Sequence, residues 1–390
     1  MTEKLKFPEG FLWGSSTSAY QVEGGIENCD WAKVYPAGRA CNHYNLYEED
    51  FDLLKKLNQN THRFSIEWSR IEPEEGKFDE KEIEHYRRVI LTLRKRGIEP
   101  FVGLWHWTNP LWVKDMGGWE LKEIIKYFSR YVEKVVSSLG DNVDFWITIN
   151  EPEIYLFHSY LKGNWPPNKK NSFLSFYKAI TNLIKAHREA YKIIKKLQPS
   201  SQIGVATNNT YYEADNNPIS IFVKNIIESL DHFYFLDRIQ NHQDFIGLNY
   251  YFHNRIKGFK FNQNENKKVS DMGWEIYPKG IYYVLKNLKK YKKPIYITEN
   301  GLADAKDKLR EDFIGDHLFW IHKAIEKGID VKGYFHWSLM DNFEWDKGFK
   351  PRFGLVEIDY NTLERKPRPS TFYYAKICKE NTLTLINEDL

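Results

Sequence analysis

Two glutamates stand out by what surrounds them. Glu151 sits in Thr148-Ile149-Asn150-Glu151-Pro152, directly after the apolar run Phe145-Trp146-Ile147. Glu299 sits in Ile297-Thr298-Glu299-Asn300-Gly301, after Ile295-Tyr296-Ile297. Each run has the aromatic and β-branched character of a buried strand, and each is closed by a breaker, Pro152 or Gly301. Each glutamate is therefore expected at the C-terminal end of a strand. In a barrel of parallel strands that end is where chemistry is found. A single glutamate after a strand is more often a helix cap or a surface group. Two of them, 148 positions apart, can instead face each other across one pocket. Paired carboxyl groups, one holding a proton and one ionised, are the machinery that breaks a glycosidic bond.

The elements that must position this pair can be read from the alternation of short apolar runs with longer helical patterns, which predicts βα units and a parallel sheet. Strands are expected at Phe11–Ser15, Thr61–Ser65, Glu99–Leu104, Phe145–Asn150, Gln202–Thr207, Phe245–Asn249, Pro294–Thr298 and Val331–Trp337. Helices are expected over Tyr44–Leu57, Asp79–Arg96 (with Asp79 as N-cap and Gly97 as the stop), Glu120–Leu139, Phe173–Leu197, Tyr282–Tyr291, Asp307–Lys327 and Ser370–Cys378. Eight strands with interleaved helices predict an α/β fold, a single (β/α)8 TIM barrel spanning residues 1–390 as one catalytic domain with its active site at the C-terminal mouth of the strands. No Pro/Gly-rich or low-complexity linker divides the chain. The stretches Asn208–Asp244 and Phe252–Tyr277 resist assignment; the second is polar and reads as a long loop or small hairpin.

Composition narrows the function. The chain has 390 residues, 42% of them hydrophobic, enough for a large core. Fifty-six Lys and Arg stand against 53 Asp and Glu, a net charge of +3, and the basic residues are spread over helical stretches. Neither nucleic acid nor an anionic membrane is expected as a partner. No apolar run approaches the roughly 20 residues of a membrane span. Aromatic residues make up 16%, which permits a sugar site without requiring one. Three cysteines, Cys29, Cys41 and Cys378, form no Cys-x-x-Cys pair, and the N-terminal residues have no apolar signal core. A reduced, cytoplasmic protein is expected, with a Cys29–Cys41 bridge left open. His43, His62, His158 and His336 have no metal-site spacing, and no glycine-rich phosphate loop is present, so no cofactor or metal is expected.

Other polar residues gather after the strand ends: Gln21 and Glu23, Arg63, His106, Asn150, Asn249 with Tyr250 and Tyr251, then Trp337, Glu344 and Trp345. With these in place the chain resembles a family 1 glycoside hydrolase, the β-glucosidase/β-galactosidase family of retaining (β/α)8 enzymes. The similar segments run in order from Phe11-Leu12-Trp13-Gly14 through Gln21-Val22-Glu23-Gly24, Arg63-Phe64-Ser65-Ile66, His106-Trp107, the Glu151 motif, Gly247-Leu248-Asn249-Tyr250-Tyr251, the Glu299 motif, Trp337-Ser338-Leu339-Met340-Asp341-Asn342-Phe343-Glu344-Trp345 and Arg352-Phe353-Gly354-Leu355. The resemblance implies Glu299 as nucleophile, with Arg63, Asn249 and Tyr251 supporting its charge. It implies Glu151 as general acid/base, with a pKa raised by burial and by Glu299. Asn150 would hold the sugar 2-OH. Gln21, His106, Glu344 and Trp345 would read the outer hydroxyls, and Trp337 would floor the ring. Glu23, Arg70 and Asp341 are expected to be structural. Substrates would be small-molecule β-glycosides or short oligosaccharides. A homo-oligomer stays open, and the preferred sugar is not readable.

Several positions depart from the family pattern. Glu67 precedes Trp68 where a small or neutral residue is usual, and a salt bridge is its expected role. Thr108-Asn109-Pro110 replaces Asp-Leu-Pro, and Trp165 stands where a histidine is common. Both segments are expected to rim the mouth and to bear on the leaving group. The chain is also short for the family, so trimmed loops are expected. A phosphoglycosidase is disfavoured because Glu344 would repel a phosphate and Pro351 and Phe353 replace its lysine and tyrosine. A myrosinase-type enzyme is disfavoured because Glu151 is not glutamine. A transglycosylating enzyme or a non-catalytic sugar-binding barrel remain as alternatives.

Overall fold

The computed structural model describes residues 3–385. Eight parallel strands close into a barrel: β1 Leu12–Ser16, β2 Thr61–Ser65, β3 Glu99–Gly103, β4 Phe145–Asn150, β5 Gln202–Asn208, β6 Phe245–Asn249, β7 Ile295–Asn300 and β8 Val331–Trp337. Each pairs with the next in sequence, and β8 returns to β1 through Gly333↔Leu12 to Trp337↔Ser16. Every expected strand is present, four with the expected bounds and four with one or both ends shifted by one or two residues. Helices such as Glu80–Lys95, Ile124–Leu139, Phe173–Leu197 and Arg310–Glu326 fill the outer ring. Asp79 caps its helix as expected, its carboxylate accepting from the Lys81 and Glu82 amides.

The inside of the barrel is filled, not hollow. Phe101, Ile147, Ala206, Phe245, Tyr296 and Phe335 form one buried cluster, with Leu12 and Phe145 against it. Most of these come from the N-terminal halves of their strands, and Phe101 stacks on Phe145 at 4.2 Å. Barrels of this kind are packed cores closed at one end, which leaves the C-terminal ends to form a site. The larger core lies between strands and helices and includes Trp13, Trp68, Trp119 and Trp146.

The two unassigned stretches hold ordered structure that the sequence did not announce. Tyr211–Ala214 pairs in parallel with His253–Ile256, although 42 positions separate Tyr211 from His253. Helices Pro218–Glu228 and Tyr234–Ile239 lie between them. Short strands paired across that distance leave no periodic signal. A further pair, Glu3–Lys6 with Thr382–Leu385, is antiparallel. The three cysteines are buried and free, so Cys29 and Cys41 are not bridged. Cys41 instead donates to the Asp341 carbonyl at 2.9 Å.

Glu67 corrects an expectation. Among the described residues it makes no ion pair. Its carboxylate accepts from Ser69 Oγ at 2.7 Å, the Ser69 amide at 3.2 Å and Thr108 Oγ1 at 2.8 Å. The two departures therefore satisfy each other. Arg70, the basic neighbour, is taken by Glu23 at 2.9 Å. Asn109 is equally structural: its amide and side chain donate to Asp30, while Trp105 and Trp119 donate to its Oδ1. Thr108 and Asn109 are buried and do not form part of an exposed rim. Asp341 is structural as expected. It accepts from Arg368, Arg352 and the Gly354 amide, tying down the segment that carries Glu344.

Candidate active site

A cavity of about 300 Å³ opens at the C-terminal ends of the strands. Such a volume lies at the lower end of the range for small-molecule sites. Glu151, Glu299, His106, Tyr251, Trp337, Glu344 and Trp345 all line it. Gln21, Arg63, Asn150 and Asn249 are buried and hydrogen-bond to residues that line it.

The strand ends place each group. Glu151 follows β4 and precedes Pro152, which occupies the first turn of the helix Pro152–Leu156, where its missing N–H costs nothing. The Glu151 backbone is left-handed, φ 41°, and its amide donates to the Ala206 carbonyl at 2.7 Å. Trp107 and Trp345 also have positive φ, 75° and 50°. Left-handed backbone at residues other than glycine costs about 1 kcal/mol or more each, and it persists where the surroundings over-determine it. Glu299 is the fifth residue of β7. After it, Gly301 packs so tightly against the Trp337 carbonyl that a Cβ there would run into it. Glycine at that position lets β7 and β8 bring Glu299 and Trp337 to one cavity.

The two carboxyl groups have unequal surroundings. Glu299 is held by the Arg63 guanidinium, and the Tyr251 phenol donates to its Oε2 at 2.8 Å. Arg63 also donates to Asn150 Oδ1 and to the Thr298 carbonyl. Among the described residues Glu151 has only neutral donors: Asn249 Nδ2 at 2.7 Å and Asn208 Nδ2 at 3.0 Å, both to Oε1. Asn249 is oriented for this because its Oδ1 accepts from Thr298 Oγ1 at 2.7 Å. Burial raises both carboxyl groups. For Glu151, burial and then the Glu299 charge push the pKa up to about 8. For Glu299 the Arg63 guanidinium, then the Tyr251 phenol and the Asn249 amide, oppose the burial, so Asn249 serves both carboxyl groups. Glu299 is thus the group that ionises first, and Glu151 the group that keeps its proton.

The remaining groups form the closed end and the walls. Burial, followed by Glu299 and Glu151, pushes Glu344 up to about 8, and Gln21 Nε2 donates to it at 3.3 Å. Gln21 is fixed by Asn342 and the Phe343 carbonyl. His106 is held neutral by burial and then by Arg63, and its Nε2 lies 3.2 Å from Asn150 Nδ2. Its ring is nearly parallel to those of Trp337 and Trp345, with centroids 6.1 and 5.9 Å away.

Asn208 is the residue that sequence reasoning missed. It ends β5 just as Asn150 and Asn249 end β4 and β6, so its position was a usable signal. Trp165 lines the cavity as expected, and its Nε1 donates to Asp346 at 3.2 Å. The wall made by Phe252, Met272 and Trp274 comes from the unassigned stretch and had no signal. Phe353 also lines the cavity, with no hydroxyl to offer a phosphate.

Comparison with known proteins agrees with this geometry. The model of glycosyl hydrolase family 1 matches residues 3–237 and 234–383. The chain is 35% identical to beta-glucosidase A of Thermotoga maritima over 97% of this chain and 99% of that protein, and 30% identical to a beta-galactosidase of Pyrococcus woesei over 98% and 99%. These alignments run over 449 and 507 residues against a chain of 390, so the relatives carry segments this chain lacks. Among solved structures, a beta-glycosidase from Pyrococcus horikoshii superposes with a TM-score of 0.93 at 40% identity, over 98% of this chain and 96% of that one. The Thermotoga maritima beta-glucosidase in complex with glucoimidazole gives 0.91 at 33%, over 96% and 99%. With the barrel, the paired carboxyl groups and these full-length similarities together, the chain belongs to glycosyl hydrolase family 1 and is a glycoside hydrolase.

Proposed function

We propose that the protein is a retaining β-glycosidase that removes terminal, non-reducing β-linked sugars, glucosides first and galactosides or related sugars with them, from small-molecule glycosides and short oligosaccharides. The whole chain, 1–390, acts as one catalytic unit in the cytoplasm, a location supported by three buried, unpaired cysteines. The observation that carries this reading is the unequal environment of the two carboxyl groups: a guanidinium and a phenol on Glu299, two neutral amides on Glu151.

In this reading Glu299 attacks the anomeric carbon while Glu151 gives its proton to the leaving oxygen. The C–O bond to the leaving group breaks, and a glycosyl ester forms on Glu299. That ester carries no negative charge, so the pKa of Glu151 falls. Glu151 then takes a proton from water as the water attacks the anomeric carbon and Glu299 departs. Two inversions give net retention. Asn150 binds the 2-OH, where a hydrogen bond strengthens as the oxocarbenium character grows. Gln21, His106, Glu344 and Trp345 hold the outer hydroxyls, and Trp337 supports the ring face.

A panel of nitrophenyl glycosides tests this, with Glu299→Gln and Glu151→Gln beside the wild type and the product anomer followed by NMR. Wild type should cleave β-glucoside with the β anomer appearing first, and Glu299→Gln should lose nearly all turnover. A wild type that binds sugar but cleaves no β-glycoside would make the barrel a binding protein. Sugar transfer outrunning hydrolysis at high acceptor concentration would make it a transglycosylase.

A further inference from the structure

One helix of this molecule faces the wrong way for a protein surrounded by water. In Pro218–Glu228 the only buried residue is Ser220. Ile219, Phe222 and Ile226 recur at helical spacing and are exposed by 46%, 63% and 43%. Leu230, in the turn that follows, is 58% exposed. A surface helix normally buries such a stripe and turns its polar face outward. Here the apolar stripe is the outer face.

A second apolar feature joins it. After the strand His253–Ile256 the chain makes a tight hairpin, with reciprocal backbone bonds of 3.0 Å between Lys257 and Lys260. Gly258, φ 59°, allows the turn and leaves Phe259 at the tip, 76% exposed. The Gly258 amide donates to Ser220 Oγ at 2.7 Å, so the hairpin is fastened to the helix through the helix's one buried side chain. Lys257 and Lys260, which flank the tip, have no carboxylate in ion-pair range among the described residues. Glu228 is occupied by Asn287 and Lys224, and Glu265 by Arg255 and Lys267, while Asp215, whose amide donates to the Ile256 carbonyl, accepts from the Asn217 amide.

We infer that the helix Pro218–Glu228 and the hairpin Lys257–Lys260 form a docking surface for an anionic lipid bilayer. The chemistry matches on two counts. A protruding phenylalanine beside an apolar helical stripe can sink into the boundary between headgroups and acyl chains. The two unpaired lysines that flank this phenylalanine suit an anionic surface, whose lipid phosphates attract them. A protruding tip is also the wrong shape for a flat protein interface, whereas a bilayer accommodates any convex apolar form. The even spread of charge along the chain, which argued against a membrane partner, is an average from which this patch departs. The surface is connected to the site: the chain runs from Phe252 in the cavity wall through four strand residues to the hairpin.

Flotation of the full chain with vesicles tests this, using phosphatidylcholine alone and phosphatidylcholine with phosphatidylglycerol. Wild type should float with the anionic vesicles and remain behind with the neutral ones. Phe222→Ser with Phe259→Ser should lower the bound fraction at least tenfold, and Lys257→Glu with Lys260→Glu should abolish the preference for phosphatidylglycerol. All variants should keep wild-type turnover of a soluble nitrophenyl glycoside, which shows that they are folded. Wild type that ignores both vesicle types overturns the proposal, as does binding that survives both double variants. Concentration-dependent dimers in sedimentation, dissolved by Phe222→Ser and accompanied by no flotation, would likewise overturn it and make the surface a protein interface.

Discussion

The phenol of Tyr251 donates to Glu299 Oε2 at 2.8 Å from the strand end beside the one that carries the carboxylate. β6 and β7 are neighbours in the barrel, so the register of their pairing sets this bond before any substrate arrives. Such a donor works without reorganisation when the charge on Glu299 changes. Tyr251→Phe should therefore lower kcat by about 10²–10³-fold, the usual loss for one preorganised donor, with little change in the melting temperature. Steady-state kinetics beside a thermal scan would decide it; a loss under threefold would mean that Arg63 alone carries the charge.

The proton on Glu151 should set the alkaline side of the pH profile. Its pKa is pushed up to about 8 by burial and then by Glu299, and only the protonated acid can assist departure of the leaving group. The rate should be intact below that value and fall as pH rises through it. Replacing Glu299 with glutamine removes one cause. Infrared titration of Glu151 in Glu299→Gln should show a lower pKa than in the wild type, and an unchanged pKa would refute the coupling.

Glu344 links binding to stability. Its folded-state pKa is about 8 against an ordinary 4.5. The folded protein thus holds a proton that the unfolded chain has released, and stability from this group is present below about 4.5 and lost as pH rises through about 8. Glu344→Gln cannot ionise. Its melting temperature relative to wild type should climb between pH 5 and pH 9 in calorimetry, while KM for the glycoside rises. A pH-independent difference would show that Glu344 does not titrate in this window.

Thr108 and Glu67 are coupled through one hydrogen bond of 2.8 Å in a buried setting. Thr108→Val leaves a carboxylate oxygen short of a donor and should cost about 1–3 kcal/mol by denaturant unfolding. In a Glu67→Met background the same change should cost close to nothing. Turnover should hold in Thr108→Val, because neither residue lines the cavity. Equal costs in both backgrounds would rule the coupling out.

Arg368 and Asp341 form a buried ion pair at 2.9 Å. Arg368→Met should destabilise by about 3 kcal/mol, at the lower end for a broken buried pair because Arg352 remains on the carboxylate. Because Asp341 also accepts from the Gly354 amide, loosening it should raise KM through Glu344 as well.

Much of this molecule is legible without coordinates where the signal is local. An apolar run closed by Pro152 or Gly301 marks a strand end, and the polar residue just inside it is aimed at the mouth by the strand itself. That logic places Asn150, Glu151, Asn249 and Glu299 correctly, and applied evenly it would have reached Asn208. It fails where a contact depends on distant pieces. The parallel pairing of Tyr211–Ala214 with His253–Ile256 has no pattern of its own, and with it the Phe252, Met272 and Trp274 wall stays invisible. Glu67 was assigned a cation because arginines are close in sequence. In space those arginines are taken by Glu299 and Glu23, and a threonine from the next strand's loop supplies the partner.

The aromatic plug of Phe101, Phe145, Phe245, Tyr296 and Phe335 fills the barrel below the carboxyl groups, which blocks passage through the barrel and leaves the door at the strand ends. Traffic through a cul-de-sac has an order. In the proposed reaction the sugar goes to the blind end and the leaving group stays by the door, so the leaving group must exit before water can follow it in. The freed sugar is last out. Until it goes it blocks the next substrate, so in the proposed reaction the sugar product should inhibit competitively, which initial rates with added sugar would check.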